Sequence, residues 1–206
     1  MLQNFTVIEG NIGSGKTTLC KKLSEEFGAN LILEEFEENP FLSDFLEDQN
    51  INPLGVELQF LIDRFHQLRA SFDNSKPTIA DYFIEKSLIF SSNNLSTIEK
   101  NLFDSYYTVL FEKITEPNLL VYLSVSSDRL LENIKKRGRK IEEKLTYTYL
   151  ESIHNSYLNY LSNKQNESVL ILDVTNIDFV GNTVDYEKLK DVIVNYREKE
   201  ATQIKF

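Results

Sequence analysis

A glycine-rich segment near the N-terminus combines residue types that suit the binding of phosphate groups. Residues 10–17 read Gly-Asn-Ile-Gly-Ser-Gly-Lys-Thr and fit the pattern G-x-x-x-x-G-K-[ST] at every defined position. The glycines allow a tight turn that directs consecutive backbone N–H groups into one concavity. Lys16 can reach the outer phosphates of a nucleotide, and the Thr17 hydroxyl can contact Mg²⁺. The motif predicts a nucleoside triphosphate site formed by Gly10, Asn11, Ile12, Gly13, Ser14, Gly15, Lys16, Thr17 and Thr18.

Strands and helices alternate along the whole chain in the hydrophobic pattern. Apolar runs predict five strands, at residues 5–8, 31–33, 78–83, 118–124 and 169–174. Helical periodicity predicts helices at residues 16–27, 41–46, 53–71, 101–114, 127–136, 142–162 and 185–199. We expect an α/β fold in three layers, with a five-stranded parallel sheet and helices on both faces. The glycine-rich segment then joins the first strand to the first helix, whose N-terminal dipole favours an anion.

Length and composition are those of one ordinary globular domain. The chain has 206 residues, 41% hydrophobic and 26% charged, so we expect a single domain over residues 1–206. No apolar run approaches the roughly 18 residues that a membrane helix needs, and no basic leader precedes the first strand. Cys20 is the only cysteine, which excludes a disulfide within one chain. A cytoplasmic location is therefore expected.

The net charge of −10 is unfavourable for binding a nucleic-acid backbone. Positive charge is concentrated instead at Lys16, at Lys86 and in residues 135–140, which read Lys-Lys-Arg-Gly-Arg-Lys. This distribution predicts a small nucleotide or nucleoside as the ligand, with neither a nucleic acid nor a membrane as a partner.

Charged side chains follow the predicted strands at the points where the strands end. Because ligands of open parallel sheets bind at the carboxyl ends of the strands, we expect these side chains to surround one site. Phosphoryl transfer needs such a set: cations, a metal-side acid, and a carboxylate that accepts the proton of the acceptor hydroxyl. The residues are Glu34 and Glu35, Glu85 and Lys86, Arg137 and Arg139, and residues 173–179.

Five motifs follow one another along the chain: Ile8-Glu9-Gly10, Glu34 with Asn39-Pro40, Glu57 with Arg64, Glu85-Lys86-Ser87, and Arg137-Gly138-Arg139 with Glu142. Together and in this order, they resemble the motifs of the deoxyribonucleoside kinase family. The likeness is to bacterial deoxyadenosine/deoxyguanosine kinases and, more distantly, to deoxycytidine kinase, and it covers nearly the whole chain. It implies a P-loop kinase fold with a basic lid that uses ATP and Mg²⁺ to phosphorylate the 5′-hydroxyl of a deoxynucleoside.

The resemblance implies roles for the residues around the reacting phosphate. Glu34 resembles the general base, although the adjacent Glu35 stays an alternative because only one of the two can face the site. Glu85 is expected beside Mg²⁺ together with Thr17, and Asp81 is either a supporting acid or a surface charge. Lys86 is expected near the 5′-oxygen, where the family usually has arginine.

Arginines of the lid are expected to close over the phosphates and to exclude water. The resemblance assigns this role to Arg137 and Arg139, and Asn133 stands where the family often has another arginine. Lys135 or Lys136 could compensate for it. On the donor side, Asp178 and Phe179 resemble the loop that holds the adenine, although Phe179 could equally be a core residue.

The nucleoside side departs from the family at the positions that would read the base. Glu57 stands in place of a glutamine, and an ionised carboxylate is acceptor-only. It would suit the N1–H and amino group of guanine, and adenine only if protonated or if it pairs with the amino group alone. The resemblance favours deoxyadenosine first and deoxyguanosine second. The residues assigned to the nucleoside are Glu34, Phe45, Glu57, Phe60, Arg64, Lys86, Ser91 and Glu142.

Glu142 is expected to accept a hydrogen bond from the sugar 3′-hydroxyl, and Leu46 stands where the family supports it with tyrosine. The resemblance also implies a salvage enzyme, a homodimer through helices 53–71 and 101–114, and inhibition by an end-product deoxynucleoside triphosphate. One alternative is another small-molecule P-loop kinase, such as a nucleoside monophosphate kinase, but carboxylates on the acceptor side would repel its phosphate. A nucleotide-binding regulator without turnover is the second alternative, and the departures at Lys86, Asn133 and Leu46 favour it weakly.

Overall fold

The computed structural model describes residues 2–35, 39–72, 75–164 and 167–206. The strands are β1 (Phe5–Gly10), β2 (Asn30–Ile32), β3 (Thr78–Ala80), β4 (Leu119–Ser124), β5 (Val169–Asp173) and β6 (Ala201–Lys205). The helices are α1 (Lys16–Phe27), α2 (Leu42–Glu47), α3 (Pro53–Ser71), α4 (Lys86–Asn94), α5 (Thr97–Phe111), α6 (Ser127–Arg137), α7 (Tyr147–Ser162) and α8 (Thr183–Asn195). A short 3-10 helix spans Lys140–Glu142. None of the helices that the structure describes is long and apolar enough to cross a membrane.

All neighbouring strands of the sheet are parallel, in the order β2-β3-β1-β4-β5-β6. The predicted parallel α/β fold is confirmed, but the predicted number of five strands is wrong. The sixth strand, β6, alternates exposed and half-buried residues at the edge of the sheet. Its sequence Ala-Thr-Gln-Ile-Lys contains a single large apolar residue, so it has no hydrophobic run that would reveal it.

The sequence pattern also does not predict helix α4. Its sequence Lys-Ser-Leu-Ile-Phe-Ser-Ser-Asn-Asn is rich in residues with low helix propensity, and the helix depends on packing against α3, α5 and α7. β3 ends at Ala80 and α4 begins at Lys86, so the predicted strand at 78–83 consists of three strand residues and the first part of the connection to α4. Helix α5 then begins at a capping box formed by Ser96 and Glu99, earlier than expected.

The central position of β1 places the glycine-rich segment in the middle of the sheet edge. β1 pairs with β3 on one side and with β4 on the other, and all its residues are buried. Gly15 has φ +90°, and a Cβ there would lie 2.7 Å from the ring of Phe179. Only glycine fits this position, because both the left-handed backbone and the ring exclude a side chain.

A buried carboxylate of β1 connects the elements beneath this edge. Glu9 Oε1 accepts a hydrogen bond from the backbone N–H of Phe83 (2.8 Å), and Oε2 accepts one from the hydroxyl of Tyr157 (2.9 Å). Burial raises the pKa of Glu9 above its ordinary value, although the charge of Lys86 and the Phe83 N–H oppose the shift. The carboxyl therefore holds β1, the chain after β3 and helix α7 in one arrangement.

Candidate active site

A cleft of about 290 Å³ opens at the carboxyl edge of the sheet. Segments that are distant in sequence line it: the glycine-rich segment, the ends of β2 and β3, helices α2, α3, α4 and α7, and the chain after α6. Of the residues predicted from the sequence, it brings together Ile12, Gly13, Lys16, Thr17, Glu34, Phe45, Glu57, Phe60, Arg64, Lys86, Arg137, Arg139 and Glu142.

Asn11 supports the glycine-rich segment of residues 10–17 from inside, and we call this the phosphate-binding segment after its predicted role. Its side-chain amide donates to the carbonyl oxygen of Leu150 (2.7 Å), and its side-chain oxygen accepts from the N–H of Ile12 (2.8 Å). Lys16 Nζ donates to the carbonyl oxygen of Asn11 (3.0 Å). Burial and the charge of Lys86 lower the pKa of Lys16 to about 8. The negative charge of an incoming phosphate would stabilise the protonated ammonium group of Lys16.

Asp81 lies beside the phosphate-binding segment. The Thr17 hydroxyl donates to Asp81 Oδ2 (2.5 Å), and Asp81 Oδ1 accepts the backbone N–H of Glu34 (2.8 Å). The pair consists of a hydroxyl and a carboxylate, which are oxygen ligands that Mg²⁺ accepts alongside nucleotide phosphates. Within the part of the chain that the structure describes, no group of three or more His, Cys, Asp or Glu side chains could hold a metal by itself.

The expectation that Glu85 lies beside Thr17 does not agree with the structure. Glu85 lines a different cavity, between α4, α5 and α7, and its carboxylate pairs with Lys164 Nζ at 2.8 Å. The difference arises because β3 ends at Ala80, so Asp81 and not Glu85 is the first acid at the sheet edge. The position of Asp81 directly after β3 is the sequence signal that could have identified it.

Glu34 is held between two cations in the cleft, whereas Glu35 is exposed. Arg64 donates to Glu34 Oε1 from Nε (2.8 Å) and Nη2 (2.6 Å), and Lys86 Nζ donates to Oε2 (2.5 Å). Burial alone would raise the pKa of Glu34, but the charges and hydrogen bonds of Lys86 and Arg64 outweigh it and lower the pKa to about 2. Glu34 therefore carries a negative charge throughout the neutral pH range.

Glu57 lies deeper in the cleft and is buried. Its Oε1 accepts a hydrogen bond from the amide of Asn94 (2.7 Å). Its Oε2 is buried and has no hydrogen-bond partner in the described residues. Burial raises the pKa of Glu57 to about 7, against the opposing effects of Asn94, Arg64 and Lys86. A buried polar atom without a partner is costly, so a hydrogen bond from a ligand to this oxygen would be favourable.

Ser91, expected near the base, does not line the cleft. Its hydroxyl donates to the carbonyl oxygen of Leu88 within α4 (3.1 Å). Lys86, Phe90 and Asn94 line the cleft instead, at a spacing of four residues that places them on one side of this helix. Sequence reasoning missed Phe90 and Asn94 because it did not predict α4.

The remaining walls of the cleft are mostly apolar. Phe45 and Leu46 line it from α2, and the Phe60 ring lies 4.9 Å from the guanidinium carbon of Arg64. Leu46 has no polar group to offer a sugar hydroxyl. Tyr149 of α7 also lines the cleft, and it was not predicted.

The lid arginines are paired with Glu142 in this conformation. Arg137 Nη2 donates to Glu142 Oε2, and Arg139 Nη1 lies 3.5 Å from Oε1. Glu142 is buried, while each arginine is about half-exposed. Asn133, at the position where the family often has arginine, donates from its side-chain amide to the carbonyl oxygen of Gly13 (2.9 Å).

A second cavity, of about 390 Å³, adjoins the cleft and shares Gly13 and Arg137 with it. Phe179 is buried against Gly15, so it is a core residue that also lines this cavity. Lys22 Nζ fixes the surrounding loop by donating to the carbonyl oxygens of Phe179 (3.0 Å) and Val180 (2.8 Å). The predicted residues here are Gly13, Ser14, Gly15, Thr18, Arg137, Asp178 and Phe179, joined by Lys136.

Several known proteins are similar to this chain over most of its length. The chain is 36% identical over 202 residues to a deoxyguanosine kinase of Bacillus subtilis (strain 168), covering 92% of this chain and 98% of the relative. It is 29% identical to a deoxyadenosine/deoxycytidine kinase of the same organism, covering 93% and 92%. The solved structure of deoxyadenosine kinase from M. mycoides with bound dATP has the same fold, with a TM-score of 0.79 at 24% identity, covering 92% and 98%.

The family model described as deoxynucleoside kinase matches residues 6–196, which is most of the chain. The match extends from β1 through α8 and so includes every residue of the cleft. The chain belongs to the deoxynucleoside kinase family.

Proposed function

We propose that residues 1–206 form one kinase domain that transfers the γ-phosphoryl group of ATP to the 5′-hydroxyl of a purine deoxynucleoside, with deoxyguanosine preferred. The observation that carries the proposal is the position of Glu34. Its ionised carboxylate shares one cleft with Lys16 and Thr17 of the phosphate-binding segment. A donor phosphate and an acceptor hydroxyl bound there would be neighbours, which is the first requirement of phosphoryl transfer.

The main role of Glu34 would be to orient the acceptor hydroxyl. It would not remove the hydroxyl proton before the phosphoryl group is transferred. A carboxylate with a pKa of about 2 is a weak base, but it accepts a hydrogen bond from a hydroxyl at any neutral pH. The transition state of phosphoryl transfer is loose, so alignment and charge stabilisation matter most. The cations that would stabilise the transferring group are Lys16, Lys86, Arg137 and Arg139.

Mg²⁺ would be held by Thr17 and Asp81, since these two oxygen ligands adjoin the phosphate-binding segment and Glu85 does not. When bound, the ion would neutralise charge on the donor phosphates. Asp81 also holds the backbone of Glu34, so one side chain would link the metal side of the site to the acceptor side.

The chemistry of Glu57 supports guanine before adenine, reversing the order expected from the sequence. An ionised carboxylate offers acceptors to both the N1–H and the amino group of guanine. Adenine has an acceptor at N1 and would require the protonated carboxyl. The relative at 36% identity is a deoxyguanosine kinase, which favours the same assignment.

A nucleoside monophosphate kinase is less compatible with the acceptor side. Such an enzyme needs free cations for the acceptor phosphate, but Arg64 and Lys86 are both paired with Glu34. Glu57 adds a further carboxylate beside them. A neutral nucleoside avoids the repulsion that a phosphate would meet there.

We further propose a homodimer that acts in nucleotide salvage in the cytoplasm and is inhibited by an end-product triphosphate. Helix α5 supports the dimer, because large apolar side chains lie exposed along it at Ile98, Leu102, Tyr106 and Val109. Ile62 of α3, which packs beside α5, is exposed as well. The bound dATP in the M. mycoides structure supports the inhibitor.

Incubation of the protein with Mg-ATP and each of the four deoxynucleosides tests the function directly. We expect monophosphate from deoxyguanosine first and deoxyadenosine second, measured by chromatography. Parallel incubations replace each deoxynucleoside with its monophosphate, and product formed from the monophosphates alone would support the other kinase class. Nucleotide binding without any product would support a regulator and overturn the proposal.

Glu34→Gln should lower kcat by about 10²-fold or more, because the amide cannot hold the hydroxyl and its proton as the carboxylate does. The matched control is Glu35→Gln, which changes the exposed neighbour. Steady-state kinetics with saturating deoxyguanosine would measure both, and ATP affinity should be preserved. A large loss in Glu35→Gln with a small one in Glu34→Gln would reverse the assignment.

Asp81→Asn should raise the Mg²⁺ concentration needed for half-maximal activity by about tenfold or more, because one charged ligand is lost. Glu85→Gln is the control, since that carboxylate pairs with Lys164 in another cavity. A magnesium titration of the reaction rate measures both variants. An unchanged magnesium requirement in Asp81→Asn would remove Asp81 from the metal site.

We expect the preference between deoxyguanosine and deoxyadenosine to change with pH. Glu57 is protonated below a pKa of about 7 and ionised above it. Between about pH 6 and about pH 8 the ionised fraction rises about tenfold, so kcat/KM for deoxyguanosine should rise and that for deoxyadenosine should fall. Glu57→Gln should abolish both trends, which separates Glu57 from other titrating groups. Parallel pH profiles for the two substrates would contradict the assignment.

A further inference from the structure

A line of hydrogen bonds runs from the surface of α7 to the carboxyl group of Glu57. The hydroxyl of Ser152 donates to Asn93 Oδ1, Asn93 Nδ2 donates to Asn94 Oδ1 (2.9 Å), and Asn94 Nδ2 donates to Glu57 Oε1 (2.7 Å). The line crosses α7, the end of α4 and α3. The side-chain oxygen of Asn94 already accepts a hydrogen bond from Asn93. The amide of Asn94 therefore faces Glu57 with its NH2 group.

This line makes the two oxygens of Glu57 unequal. Oε1 accepts from Asn94, while Oε2 is buried without a partner in the part of the chain that is described. A proton on Oε1 would point at the N–H of Asn94, so protonation is directed to Oε2. Oε2 is therefore the atom that changes from acceptor to donor when Glu57 takes up a proton.

We propose that Asn94 is a positioning residue that determines base specificity, by fixing Glu57 so that Oε2 reads the N1 position of a bound purine. The ionised Oε2 accepts from the N1–H of guanine, and the protonated Oε2 donates to N1 of adenine. This inference rests on the proposed function and adds to it the residue that makes Glu57 a directional reader. Asn94 also lines the cleft, so it lies beside the base that Glu57 would contact.

The groups around Glu57 determine whether its carboxyl group is protonated or ionised. Burial is the largest effect and favours the protonated form; Asn94 and the charges of Arg64 and Lys86 favour the ionised form, and Glu34 opposes them. Tyr149 of α7 completes the surroundings, with its hydroxyl 3.4 Å from Asn94 Nδ2. Because the Asn94 amide stabilises the ionised form, its removal moves the protonation of Glu57 to higher pH.

The test is to measure kcat/KM for deoxyguanosine and deoxyadenosine across the pH range in the wild type and in Asn94→Ala. We expect the pH at which both substrates react equally to move upward in Asn94→Ala. At slightly alkaline pH the preference for deoxyguanosine should fall about tenfold, which is the effect of one hydrogen bond to an ionised group. Ser92→Ala is the control: its exposed hydroxyl bonds to Leu88 in the same helix and has no part in the line.

Asn94→Asp provides a second variant of nearly the same shape, in case Asn94→Ala does not fold. It places a second carboxyl beside Oε1, and two such groups share a proton, so the preference for deoxyguanosine should fall further. An equal loss for both substrates, with the crossover pH unmoved in either variant, would overturn the role of Asn94 and leave the proposed function standing. A wild type without any crossover would overturn the Glu57 assignment as well.

Discussion

The ion cluster around Glu34 is the interaction on which the site depends. Arg64 comes from α3 and Lys86 from α4, and both reach one carboxylate whose backbone is held by Asp81 at the end of β3. Removing one member of a buried cluster leaves uncompensated charge, which is strongly destabilising. Two helices and two strand ends are thereby fixed relative to the phosphate-binding segment. Their positions, in turn, define the walls that a nucleoside would meet.

The lid adds a connection between the two halves of the cleft. Under the proposed function Arg137 and Arg139 would bind the donor phosphates, yet in this structure both are paired with Glu142. Phosphates that attract these arginines compete with that carboxylate for them. Because the buried Glu142 would then lose its partners, a hydroxyl group of the acceptor could restore a hydrogen bond to it. Donor and acceptor would accordingly favour one another through this residue.

Sequence patterns gave those parts of the fold and of the site that depend on local chemistry. The phosphate-binding segment, α1 and α3 were predicted with the bounds that the structure has, since a fixed motif and long periodicity mark them. Helix α4 and strand β6 could not be predicted, because tertiary packing and not local propensity forms them. Glu85 was misplaced because β3 ends at Ala80. Ser91 was misplaced, and Phe90 and Asn94 were missed, because α4 was not predicted. Which side chains face a cleft depends on where an element begins.

Base recognition shows why one missing helix matters for function. The family resemblance identified Glu57, but its electrostatic state depends in part on Asn94 and Lys86, which α4 supplies. A carboxyl in water would be ionised and would read guanine alone. The same group, buried, is balanced between two protonation states and, under the proposed function, would be balanced between two purines. The identity of the residue would then specify that a purine edge can be read, and the surrounding fold would specify which edge is preferred at a given pH.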